Sequence, residues 1–176
     1  MKKEDILTVP EFYQGYIDQA PADTELINAL PEGGIALFTG HINELQALGL
    51  KTYAEGKWTV PQILEHLMDT ERIFLNRALR FARKDKTELP GYDENFYVAN
   101  SRSNEFSIER LLMQYIGIRS ATLATFANFN EEELMRTGIA NGNEISVLAL
   151  GFIQIGHAVH HFNVIQERYF PLLSKN

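Results

Sequence analysis

Three imidazoles crowd one short stretch near the C-terminus, Gly156-His157-Ala158-Val159-His160-His161. They interrupt an apolar run from Ile145 to Leu173 that contains no proline before Pro171. Imidazoles in a segment that reads as buried helix cost free energy unless each finds a partner. On a helix His157 and His161 stand one turn apart, with Cβ atoms roughly 5–6 Å from each other. That spacing lets two rings converge on one metal ion, at nitrogen distances of about 2.0–2.1 Å for zinc. His160 competes for the same role. The 157/161 pair is separated by about 40° around a helix and the 157/160 pair by about 60°, so geometry alone distinguishes them poorly. The plain alternative is a helix whose histidines are solvated or satisfied within the core.

Composition narrows the chemistry. A chain of 176 residues with 45% apolar content suits a single domain, residues 1–176, with a substantial core. A net charge of −7 disfavours binding to nucleic acid or to an anionic membrane. The one basic cluster, Arg77–Lys86, reads as the solvated end of a helix, where cations suit the dipole. Cysteine is absent, so a metal here must be held by histidine, carboxylate or water, and a thiol nucleophile must come from outside. The sequence begins Met-Lys-Lys-Glu-Asp without the apolar core of a secretory signal, which gives a cytoplasmic expectation. The C-terminal apolar run has the length of a membrane span. Its histidines, together with Gln154, Asn163, Gln166, Glu167 and Arg168, assign it to a bundle interior instead.

The elements that must position the histidines read as helices. Pro10 opens a short N-terminal helix that Pro21 closes. A second helical region runs from about Asp23 into the mid forties, with a kink or break expected at Pro31 and Gly33-Gly34. Gln46 to Lys57 is a mixed connection. The clearest start signal is Thr59-Val60-Pro61-Gln62, a capping box with Thr59 as N-cap and Gln62 at the third position. Val60, Ile63, Leu64, Leu67, Glu71, Phe74, Leu75 and Ala78 then follow helical spacing, and His66 lies beside that stripe, at a position able to look into a cleft between neighbouring helices. Thr87 to Asn104 reads as a loop around Pro90-Gly91, unusually aromatic in Tyr92, Phe96 and Tyr97. Ser107 caps a helix through about Phe129, with Ile108, Leu111, Leu112, Tyr115, Leu123 and Phe126 inward. A turn-rich link at Gly138 and Asn141-Gly142-Asn143 leads into the histidine helix, which stops at Pro171. No stretch alternates over strand length, so the fold class is all-α, a four-helix bundle with a short extra N-terminal helix.

Several segments resemble the DinB/YfiT-like superfamily in the same order. They are Tyr53-Ala-Glu-Gly-Lys-Trp-Thr, His66-Leu-Met-Asp69-Thr-Glu71-Arg, Arg77-Ala-Leu-Arg-Phe-Ala-Arg, Gly138-Ile-Ala-Asn-Gly-Asn-Glu-Ile-Ser and Gly156-His157-x-x-His160-His161. The likeness runs from Pro10 to about Tyr169, and the Pro31-Glu-Gly-Gly segment is its least typical part. It implies a four-helix bundle of uncommon connectivity that carries a divalent metal on a histidine triad. Position by position, that triad is His66, His157 and His161. The chemistry agrees: three neutral nitrogen ligands leave positions open for water or substrate. Imidazole suits zinc or nickel, with iron, manganese and copper remaining open. His160 is then a supporting, packing or interface residue, and His41 is solvated. Asp69 and Glu71 are candidates for orienting a ligand imidazole. Against that, Asp69 reads as a solvated charge, and Glu71 as a buried hydrogen bond to a neighbouring helix or to Trp58.

Relatives implied by the resemblance include transferases and an isomerase that use low-molecular-weight thiols. The leading expectation is therefore a metal-dependent S-transferase adding a small thiol to an electrophilic small molecule. Metal-dependent hydrolysis is the variant within the enzyme class, and a non-catalytic metal-binding or stress-response module is the other class. Access is expected past the Tyr92–Tyr97 loop, with Phe96 or Tyr97 holding the apolar part of the substrate and Asp93 or Glu94 a cationic one. An apolar bundle of this kind is also compatible with a homodimer.

Overall fold

The computed structural model describes residues 1–31 and 33–174; Glu32, in the expected break, lies outside the described residues. A tight turn at Glu11–Tyr13 leads into α1 (Gln14–Gln19), the expected N-terminal helix. The second helical region is three short pieces: α2 (Leu26–Ala29), α3 (Ile35–Gly40) and α4 (Ile42–Leu48). Interruptions fall before Ile35 and at His41, so this region breaks twice where one kink was expected.

Next comes α5 (Val60–Ala82), begun by the capping box: Thr59 accepts from the Gln62 amide at 3.3 Å, and Gln62 Oε1 accepts from the Thr59 amide at 2.9 Å. The 87–104 stretch departs from the loop expectation. It contains α6 (Glu94–Ala99), capped by Asp93, and a further tight turn at Ser103–Glu105. Ser107 caps α7 (Ile108–Phe126), and Asn130 caps α8 (Glu131–Met135), a helix the sequence reading left inside a link. That link also holds a hairpin of β1 (Thr137–Ala140) and β2 (Asn143–Ser146), antiparallel with Thr137 opposite Ser146. Asn141 and Gly142 both take positive φ, 52° and 71°, which is what a two-residue hairpin turn of this hand requires.

The histidines lie on α9 (Val147–Val164), capped by Ser146. Every residue from Val147 to Ala158 is buried, as expected of a helix that is apolar nearly all round. It is followed by a wide π-helical turn at Ile165–Tyr169 and a tight one at Phe170–Leu173. The bundle consists of α5, α7, α9 and the broken α3–α4 segment, with α1 laid against α9.

The core divides into two apolar clusters. One gathers Leu26, Phe74, Phe81, Phe126 and Phe152; the other gathers Phe38, Leu64, Leu67, Tyr115 and Phe162. Between them, on α5, α7 and α9, the buried residues turn polar: Thr70 and Glu71, Arg119 and Thr122, Gln154 and His157. Among the described residues no helix is long and apolar enough to cross a membrane.

A candidate metal centre and its cleft

His66 comes from the first half of α5, and His157 and His161 from successive turns of α9. Packing α5 on α9 turns all three Nε2 atoms toward one point. His66 Nε2 and His161 Nε2 each lie 3.0 Å from His157 Nε2. One neutral imidazole nitrogen offers either one proton or one lone pair, so hydrogen bonding alone cannot satisfy both neighbours well. Ligand nitrogens about 2.0–2.1 Å from a shared ion lie roughly 3 Å apart, which this cluster matches. The residues therefore fit a divalent metal.

Electrostatics agree. Burial lowers His66 from its ordinary value to about 4. Burial, then the charges of neighbouring imidazoles, holds His157 and His161 well below theirs. All three are neutral at neutral pH, the state a ligand needs.

Neighbouring side chains fix the rings. Trp58 lies 4.9 Å from His66 and is stacked at 6.4 Å from His161, and its carbonyl accepts from Tyr169 Oη at 2.5 Å. The π-helical turn after α9 thus ties down the tryptophan that walls the cluster. Tyr16 on α1 packs edge-on against His157 at 5.1 Å and His160 at 5.3 Å. The close approach of α1 depends on Gly156: a Cβ there would stand 1.7 Å from the Tyr16 carbonyl oxygen.

The other sequence candidates take different places. His160 stands outside the convergent cluster, packed beside Tyr16. His41 is half-buried rather than solvated: its Nδ1 donates to Leu37 O at 2.8 Å and its ring packs on Phe162. Asp69 pairs with Arg72 at 2.9 Å. Glu71 forms a two-pronged ion pair with Arg119, each bond 2.8 Å long. The guanidinium also donates to Leu30 O at 3.0 Å and Gly33 O at 2.6 Å, anchoring the chain just before α3. Glu71 is thus the hydrogen bond to a neighbouring helix. Neither carboxylate orients a histidine, and His66 Nδ1 is buried without a partner among the described residues.

The cluster forms one wall of a cleft of about 370 Å³. The remaining walls are Phe12, Tyr13 and Tyr16 from the N-terminal segment, Thr70, Phe74 and Arg77 from α5, and Tyr92, Glu94 and Asn141. Leu89 delivers Tyr92 here by bonding to the hairpin, its amide donating to Ile139 O and its carbonyl accepting from the Asn141 amide, both at 2.9 Å. Tyr92 Oη meets Thr70 Oγ1 at 2.5 Å, and burial pushes its phenol up to about 12. The expected access route is only partly right. Phe96 and Tyr97 face outward, 63% and 44% exposed, while Asp93 is occupied in capping α6.

The sequence model of the DinB superfamily matches residues 32–165. The chain belongs to this superfamily. All three clustered histidines lie inside the matched span, whereas the Phe12–Tyr16 wall of the cleft precedes it. No curated protein matches the chain. Among solved structures it is similar to YfiT from Bacillus subtilis, with 17% identity and a TM-score of 0.68, covering 94% of this chain and 91% of that one. YfiT is a probable metal-dependent hydrolase with an unusual four-helix bundle topology. The likeness shows a shared four-helix bundle fold over nearly all of this chain.

Proposed function

We propose that His66, His157 and His161 hold one divalent metal ion, zinc or nickel in the first instance, and that the centre activates a small external nucleophile against an electrophile bound in the cleft. The observation that carries this is the convergence of three Nε2 atoms, each neighbour 3.0 Å from His157 Nε2, on the wall of an aromatic cleft. A bound ion supplies Lewis acidity and lowers the pKa of a thiol or water beside it.

The chain's own groups do the rest. Three neutral imidazoles leave the ion's positive charge uncompensated, which favours an anionic thiolate over a neutral alcohol. Trp58 and Tyr16 exclude water on two sides of the cluster. Tyr92, its phenol raised to about 12, stays protonated at neutral pH; because Thr70 Oγ1 donates to the His66 carbonyl at 2.7 Å, Tyr92 donates to Thr70 and serves as a neutral wall of the cleft. In a transfer of this kind the carbon–sulfur bond forms as the bond to the leaving group breaks, and the thiol proton leaves with that group. With no cysteine in the chain, the sulfur comes from a low-molecular-weight thiol.

Hydrolysis is the second reading, favoured by the likeness to YfiT. The two are separated by assaying metal-loaded protein with an aryl halide plus a panel of thiols (glutathione, bacillithiol, mycothiol, cysteine), and with an activated ester without thiol. The thiol reading expects conjugation that needs metal, disappears in His157→Ala and is unaffected by changes at Phe96. Ester turnover without any thiol conjugation favours the hydrolase. Rates matching the buffer blank throughout favour a non-catalytic module.

A further inference from the structure

Two arginines of this chain are almost wholly buried, and they are used differently. Arg119, 3% exposed, donates to Glu71, to the Leu30 and Gly33 carbonyls and more distantly to Tyr115 and Gln154. Arg77, 4% exposed, donates from Nη2 to Pro90 O at 2.9 Å and has the Tyr13 phenol as a further hydrogen-bond partner. It enters no ion pair among the described residues, although every other arginine of α5 does. None of its nitrogens is sealed away without a partner, and the side chain lines the cleft on one side and a pocket beside Leu89 and Pro90 on the other. Its guanidinium carbon lies 5.3 Å over the centre of the Phe74 ring. A buried cation without a counter-charge is costly. That cost is recovered when a ligand brings the anion.

The position fits a ligand that also reaches the histidines. His66, Thr70, Phe74 and Arg77 follow one another along the cleft-facing side of α5. Arg77 is about three turns beyond His66, and its side chain leans back toward it, leaving on the order of 10 Å to be spanned. Aromatic walls, Tyr16, Phe74 and Tyr92 among them, line that distance. Glu94 lines the same cleft and, like Arg77, acts on the phenols of Tyr13 and Tyr92. One cation with an anion nearby suits a single negative charge and penalises a second.

We propose that Arg77 is the specificity determinant of the cleft, gripping the carboxylate of an elongated, apolar-bodied substrate whose other end lies at His66, His157 and His161. The proposal rests on the metal reading only for what happens at that far end. Arg77 therefore touches substrate without taking part in bond making.

Trp58, the only tryptophan, lines the cleft and reports on its occupancy by fluorescence. Phenylbutyrate, its neutral amide phenylbutyramide and the dianionic phenylpropylphosphonate would be titrated against the full chain, both metal-free and zinc-loaded. The parent is expected to prefer the carboxylate over the amide by roughly tenfold, with the phosphonate no tighter than the carboxylate. In Arg77→Gln the preference should fall to within about twofold, while Arg77→Lys, a point charge without the fork, keeps part of it. Glu94→Gln, on an exposed residue, should tighten both anions by roughly twofold or more. The same preference in Arg77→Gln as in the parent, or none in the parent, overturns the proposal. If Arg77→Gln does not fold, Glu94→Gln decides, and unchanged or weaker anion binding there overturns it. A carboxylate preference that survives without any response to zinc would count against the metal centre alone.

Discussion

At the scale of single residues, burial decides what each titratable group can do. Glu71 and Arg119 are 2% and 3% exposed and satisfy each other. Glu71→Ala strands the guanidinium and should cost about 3–5 kcal/mol in urea unfolding, with metal content unchanged in the protein that folds. A loss of metal at intact stability would instead make Glu71 an orienting residue for the histidines. The imidazoles set a pH dependence whose sign follows from their depressed values. Unfolded, they titrate near about 6.5; folded, His66 titrates at about 4 and His157 and His161 well below their ordinary value. Over that window the unfolded chain binds protons that the folded chain does not, so stability falls as pH drops below about 6.5 and levels off once the folded values are passed. Metal-free protein should melt at a lower temperature at pH 5 than at pH 8, with a shallower slope in His157→Phe; equal slopes would contradict this. The sequence exposed Glu71 as the one charge on an apolar stripe. It gave no such sign for Arg119, because an arginine on a helix is ordinarily solvated and its partner lies on a different helix.

At the scale of elements, the histidine-bearing helices were legible because their signals are local. The Thr59 capping box sits where the sequence puts it, and Ser107 caps α7 as expected. The hairpin was legible only as its turn, since β1 and β2 are four residues each, too short for alternation to register. The 87–104 stretch concealed α6 for the same reason, six residues opened by an Asp93 cap among loop-forming neighbours. The packing of α1 on α9 rests on Gly156. Gly156→Ala should force α1 outward and destabilise the protein by about 1–3 kcal/mol, read in urea unfolding, while a substitution of the outward-facing Phe96 should be close to neutral. A neutral Gly156→Ala would show that α1 is not clamped there.

At the scale of the whole molecule, the site occupies the seam between two apolar clusters. The buried polar residues of α5, α7 and α9 fall at that seam, and the cleft opens beside it. The histidine triad was reachable from sequence because helical spacing and family register agree on it. The cleft was not, because its walls come from separate stretches that only the tertiary fold brings together: Phe12–Tyr16, Trp58, α5, Gly91–Glu94, Asn141 and α9. Arg77 shows the difference, reading in sequence as part of a solvated basic cluster and lying buried in the structure. A metal bound to α5 and α9 at once would cross-link residues distant in sequence and stabilise the bundle by mass action. The most direct test of that centre is the metal content of protein purified and reloaded with zinc, measured for the parent and for His66→Ala, His157→Ala, His161→Ala, His160→Ala and His41→Ala. About one ion per chain is expected in the parent, His160→Ala and His41→Ala, and most of it should be lost in the other three. A His161→Ala protein that keeps the parent's metal while His160→Ala loses it would contradict the assignment.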